Sequence, residues 1–189
     1  MDYTQEIIYG ILQQQPEGIS RVRLAKLTYF VHKFLVQNKV VSLESLQFIR
    51  MPLGPVPVGL DTLNADTNIQ IYVEPTALRY NKINYLIKKQ IKKTDGILNA
   101  YIARIFPHLN SYPTSELVEI SHQEPSWIRH SNGDLYYLES DDFTRIFPPG
   151  RSQKLSIEQD NQLLQAKLLE GMLNDIVDES TKLEYPDYA

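Results

Sequence analysis

The sequence predicts an α+β fold: a mainly α-helical single domain with a small β-hairpin, followed by a C-terminal amphipathic helix. Three observations carry this expectation. Leu24, Leu27, Val31, Phe34 and Leu35 recur at spacings of three and four through RVRLAKLTYFVHKFLVQN, the period of a helix with one buried stripe. NIQIYVEP alternates Ile69, Ile71 and Val73 with Gln70, Tyr72 and Glu74, the period of a strand. Late in the chain, Leu164, Leu168, Met172 and Ile176 form an unbroken i,i+4 row, widened by Leu169, Leu173 and Val177.

The elements follow in order. A first helix spans about Tyr3 to Gln15, with Asp2 placed to cap it and QPEG to end it. Ser20 caps the second helix, on which Arg21, Arg23 and Lys33 are expected to face solvent. VVSLESLQFI reads as a short extended segment entering FIRMPLGPVPVGL, and Pro57 suits the first turn of a short helix in VGLDTLNAD. ALRYNKINYLI is the expected hairpin partner of NIQIYVEP. Asp95 begins a helix that should end near Pro107, and Thr114 begins a shorter one that Pro125 stops. NGDLYYLESDDF reads as a turn and a brief extended segment. Ser156 and Gln159 have capping-box spacing at the start of the last helix. RIFPPGRSQ is the expected hinge, which divides the chain into a domain over residues 1–150 and an acidic helix with a patternless tail over 151–189.

Of the 189 residues, 42% are hydrophobic and 22% charged, as in ordinary globular proteins, and no apolar run is long enough to span a bilayer. MDYTQEIIYG lacks the basic and apolar regions of a signal peptide, so a cytoplasmic location is expected. The absence of cysteine excludes disulfides, thiolate metal sites and cysteine nucleophiles. Three lysines face eight carboxylates from Ser152 onward, against 16 basic and 15 acidic residues before it. The body is therefore near neutral and carries no broad basic face for nucleic acid.

Candidate chemistry is sparse. No phosphate-binding glycine loop is present. Glu119 and His122 have the E-x-x-H spacing of carboxylate-bridged metal sites, but no second copy supplies the remaining ligands, and a capping or hydrogen-bonded His122 is the favoured reading. His130 and Asp134 flank a turn and read as solvated. KKQIKK (Lys88, Lys89, Lys92, Lys93) is the one basic cluster and reads first as a solvated face. Trp127, the lone tryptophan, suits either a half-buried anchor or an interface. The row Leu164, Leu168, Met172 and Ile176 suits either the home domain or a partner. No cofactor is called for.

Three pieces in order, LAKLTYFVHKF, FIRMPLGPVPVGL and SELVEISHQEPSW, resemble one family over roughly residues 5–130: the SocA-like antitoxins, or Panacea domain, formerly a domain of unknown function. The matching positions are Lys26, Leu27, Tyr29 and Phe30; Met51, Pro52, Gly54, Pro55, Val56 and Pro57; and Leu117, Ser121, His122, Glu124 and Trp127. Leu53 stands where the family often has an aromatic residue. The resemblance implies a non-catalytic bacterial or prophage protein that binds and neutralises a toxin encoded next door. It leaves room for a proteolytic adaptor that delivers a client to a cytoplasmic protease, with EYPDYA as the place for a protease contact. A metal-dependent enzyme built on Glu119 and His122 ranks last. No DNA-binding extension is visible. Lys26, Tyr29, Met51, Pro52, Gly54, Pro55, Val56, Pro57, His122, Glu124 and Trp127 are then motif positions and candidate partner contacts, with Leu53 and Val56 poised either to wedge inward or to form an outward edge.

Overall fold

Two helices open the chain. The computed structural model describes residues 2–75, 81–88, 95–144 and 156–184, with the backbone alone for residue 81 and residues 171–184. Helix α1 (Tyr3–Gln14) begins after Asp2, whose side chain makes no capping bond. Helix α2 (Arg21–Gln37) begins after Ser20, whose hydroxyl accepts from the Arg23 amide at 3.4 Å. The short strand β1 (Ile19–Ser20) joins them. Helix α2 is the axis of the fold. Residues 24–33 are buried without a break, so α2 has no solvent face along this stretch.

That overturns the solvent placement of two side chains. Lys33 is buried and paired with Glu124, and Arg23 is half-buried. Arg23 donates to the carbonyls of Asn110 and Tyr112 and to the Thr114 hydroxyl, tying α2 to the link between two later helices. Periodicity reads a charged residue as outward, but a charged group with a fixed partner can be inside.

Two small antiparallel sheets flank this axis. In the first, β4 (Ile69–Pro75) and β5 (Asn81–Ile87) form the expected hairpin, and β1 adds beside β5 in the order β1-β5-β4. Ile71 pairs with Tyr85, and Ile19 pairs with Tyr85 from the other side. In the second, β2 (Phe48–Ile49) lies between β3 (Val56–Pro57) and β6 (Leu135–Tyr136). Phe48 pairs with Pro57 and Tyr136, and Ile49 with Val56 and Leu135. Phe48 and Tyr136 point into the core. Pro57 thus lies in a strand, not in a helix, and the segment after it is a 3₁₀ turn, Leu60–Ala65.

Helix α3 (Gly96–Asn110) starts at Asp95, whose carboxylate accepts from the Ile97 amide at 2.8 Å. It continues past Pro107. That residue is exposed, so water can reach the carbonyl that loses its partner, while Phe106 and Leu109 hold the last turn on the core. Helix α4 (Thr114–His122) follows, and Pro125 opens a further short helix, α5 (Pro125–Arg129), at the position where a missing N–H costs nothing.

The last helix, α6 (Ile157–Glu184), begins with the expected reciprocal bonds between Ser156 and Gln159. One turn on, Asp160 accepts from the amides of Thr114 and Ser115 at 3.0 and 2.8 Å. The residue before α4 is Pro113, which has no capping side chain, so a carboxylate from α6 satisfies the orphan donors of α4. Leu164 is buried against the body and Lys167 reaches Glu119. The two helices therefore run side by side in the same direction. With 28 residues against nine, α6 extends well beyond α4. The expected hinge RIFPPGRSQ lies outside the described residues, as do Lys89, Lys92, Lys93 and all of the tail after Glu184.

Candidate functional site

The three sequence motifs meet on one side of α2. Lys26, Tyr29 and Lys33 project from it at i, i+3 and i+7 and are all buried. Over Lys26 passes the loop 51–57. The Lys26 ammonium donates to the Pro55 carbonyl at 2.6 Å. At Gly54 the loop makes its closest approach: a Cβ there would lie 2.3 Å from the Ser121 hydroxyl and 2.8 Å from the Lys26 nitrogen, and φ is +89°. Only glycine meets both demands. Burial lowers the Lys26 pKa well below its ordinary value.

Two turns further along α2, Lys33 pairs with Glu124 at 2.6 Å, with both side chains almost fully buried. Glu124 sits at the link between α4 and α5, so this pair fastens that link to the central helix. Tyr29 lies between the two lysines. Its hydroxyl faces Glu124, Tyr136, Asp142 and Ser126, and its pKa is raised by burial first and by these acidic neighbours second. Asp142 is itself fully buried and accepts from the amides of Ser126 at 2.9 Å and Glu139 at 2.8 Å. Lys33, Ser126, Tyr136 and Asp142 belong to this cluster, yet nothing in their local sequence pattern sets them apart. The one signal for Lys33 is its seven-residue spacing from Lys26.

His122 and Trp127 close the side nearer solvent. Their rings stack with centroids 4.2 Å apart and planes 13° apart, and the Arg50 guanidinium lies 4.1 Å over the Trp127 ring. Burial holds the His122 pKa down at about 4, and the charges of Lys26, Lys167 and Arg50 add to this, against a hydrogen bond to the Pro52 carbonyl. The imidazole is therefore neutral at pH 7. Trp127 is half-buried. His130 is not solvated: its Nδ1 bonds the Ser126 carbonyl at 2.6 Å and its ring stacks on Tyr136, while Asp134 is exposed.

Glu119 and His122 do not converge. The Glu119 carboxylate is turned outward to Lys167 at 3.4 Å, and the imidazole faces Trp127 and the loop. Among the described residues no group of three or more histidines and carboxylates is placed to hold a metal.

The proline loop has two faces. Gly54, Pro55 and Pro57 are buried, and Pro52, Leu53 and Val56 are half-buried. Met51 and Val58 are exposed. Leu53 turns toward a groove of about 500 Å³ between the first sheet and α6, which Leu164 and Leu168 line from the other side. Leu53 and Val56 therefore contribute to different surfaces. Of the late apolar row, Leu164 is buried against the home domain and Leu168 is half-buried, and the side chains of Met172 and Ile176 lie outside the described residues.

Compared with known proteins, the chain matches one family profile, described as antitoxin SocA-like, Panacea domain, over residues 24–128. Those bounds start at Leu24, in the first motif, and end one residue past Trp127. No curated protein and no solved structure matches the chain.

Proposed function

The chain belongs to the SocA-like antitoxin family, the Panacea domain, and from that premise we propose that it is the antitoxin of a toxin–antitoxin pair and neutralises its cognate toxin by direct protein–protein binding. The observation that carries the proposal is the family match, which spans more than half of the chain. The geometry agrees with a binding role. The motif polar groups are turned inward on one another: Lys26 on the Pro55 carbonyl, Lys33 on Glu124, and His122 on Trp127 and Pro52. They fix the course of loop 51–57 and of the α4–α5 link, so these surfaces are held rigid before a partner arrives, which lowers the ordering cost of binding. In this reading Met51 and the exposed rims of the motif segments meet the toxin, and the buried motif positions shape them. The body up to residue 150 is the neutralising unit, and the first half of α6 buttresses it through Asp160 and Leu164. No helix among the described residues is long and apolar enough to cross a membrane.

The test is genetic. The reading frame beside this gene is expressed alone and together with this chain. We expect growth arrest in the first case and growth in the second. A harmless neighbour, or one that stays toxic, refutes the proposal.

A further inference from the structure

The second sheet has one edge closed and one open, and its outer face is apolar. In the β2–β3 register, Val58 donates to the Gln47 carbonyl, so Gln47 and Ile49 direct their backbone groups toward β3. Those of Pro55 and Pro57 then point away from the sheet. Pro57 has no donor, and the Pro55 carbonyl is taken by Lys26. The prolines therefore seal the β3 edge. On the opposite side Arg50 donates to the Asp134 carbonyl, which directs the backbone of Phe48 and Arg50 toward β6. By the same alternation, the backbone groups of Leu135 and Tyr137 point outward from β6, and they have no partner among the described residues.

The face of this sheet opposite Phe48 and Tyr136 carries Val56, Ile49 and Leu135 in one row, with Val56 also packed on the core, and alternation places Val58, Gln47 and Tyr137 in a second row just beyond the strand ends. Five of the six are apolar. Leu135 is 55% exposed, Tyr137 40% and Val58 37%. Charge bounds the open edge: Asp134 precedes it and Glu139 and Asp141, both paired with Arg129, follow it.

We infer that the open edge of β6 receives an extended segment of the toxin, which adds as a fourth strand beside Leu135 and Tyr137. The inference rests on the antitoxin reading above and adds a second contact surface to the motif rims named there. Only a strand offers a row of donors and acceptors to match that edge. Its side chains on the outer face are apolar, continuing the Val56–Ile49–Leu135 row, and basic residues at its ends meet Asp134 and the Glu139–Asp141 pair. The prolines of loop 51–57 direct the partner to this edge by closing the other.

The test uses the full chain and the product of the adjacent reading frame, in two variant series and one exchange measurement. Leu135→Pro removes one outward donor and leaves the β2–β6 bonds in place. Tyr137→Lys and Tyr137→Glu alter an exposed side chain with no hydrogen bond among the described residues. We expect Leu135→Pro and Tyr137→Lys to weaken binding at least tenfold or so, and Tyr137→Glu to weaken it less than Tyr137→Lys, with thermal stability unchanged for both Tyr137 variants. In the wild-type complex the amides of Leu135 and Tyr137 become protected from hydrogen exchange. The inference is overturned if wild type binds and neutralises while all three variants bind as well as it does, if protection falls on the β4 edge instead, or if Tyr137→Lys converts a purified dimer to monomer, which assigns the edge to a second copy. A wild type that neither binds nor neutralises refutes the antitoxin reading itself.

Discussion

Gly54 has the closest neighbours of the described glycines. Replacing it with alanine puts a methyl group into the Ser121 hydroxyl and the Lys26 ammonium and forces a side chain onto positive φ. We expect Gly54→Ala to cost about 2–4 kcal/mol, read by denaturant unfolding; a loss below about 0.5 kcal/mol contradicts the close approach. The Lys33–Glu124 pair invites a second test. Removing one partner, as in Glu124→Ala, strands a buried ammonium and should cost about 3–5 kcal/mol, whereas Lys33→Met with Glu124→Leu should recover most of it. His32 and His122 both have pKa values lowered to about 4, chiefly by burial. A base whose folded pKa is lowered takes up a proton on unfolding. Its stabilisation is complete above the unfolded value of about 6.5 and drains away as pH falls toward 4. His122→Phe keeps a ring on Trp127 and should make the pH dependence of unfolding shallower by about one proton between pH 6 and 4.5; an unchanged slope contradicts the assignment. At this scale sequence patterning was least informative. Lys26 stood out only through the family resemblance, and Lys33 read as solvated because its partner lies 91 residues away.

Among the elements, α6 is docked by Asp160, by buried Leu164 and by the Lys167–Glu119 pair. Asp160 caps α4 where Pro113 cannot, so Asp160→Ala should cost about 1 kcal/mol and loosen the first half of α6, seen as faster amide exchange over residues 157–168. Unchanged exchange contradicts that anchoring. The long helices, the β4–β5 hairpin and the capping signals at Ser20, Asp95 and Ser156 were legible because each is encoded within a few residues. The second sheet was only partly so. Its strands are two residues long, too short to show a period, and their order comes from packing around Phe48. Pro57 fitted either a helix start or a strand edge by local rules, and its pairing with Phe48 decided for the strand.

Taken whole, the molecule places two small sheets around a central helix buried through its middle, and its motif residues hold the pieces together from inside. The sequence suggested an outward loop edge or an inward wedge for residues 51–57. The structure divides the labour: Gly54, Pro55 and Pro57 face in, Leu53 faces the groove beside α6, and Met51 and Val58 face out. Partner choice was not legible, because the surface we propose for it, with Leu135 and Tyr137, belongs to no motif. The central claim, direct neutralisation by binding, is tested most directly by titrating the purified product of the adjacent reading frame with the purified chain in a calorimeter. We expect saturable binding with a dissociation constant in roughly the nanomolar range. No complex at about 10 μM, with toxicity still relieved in cells, contradicts direct binding.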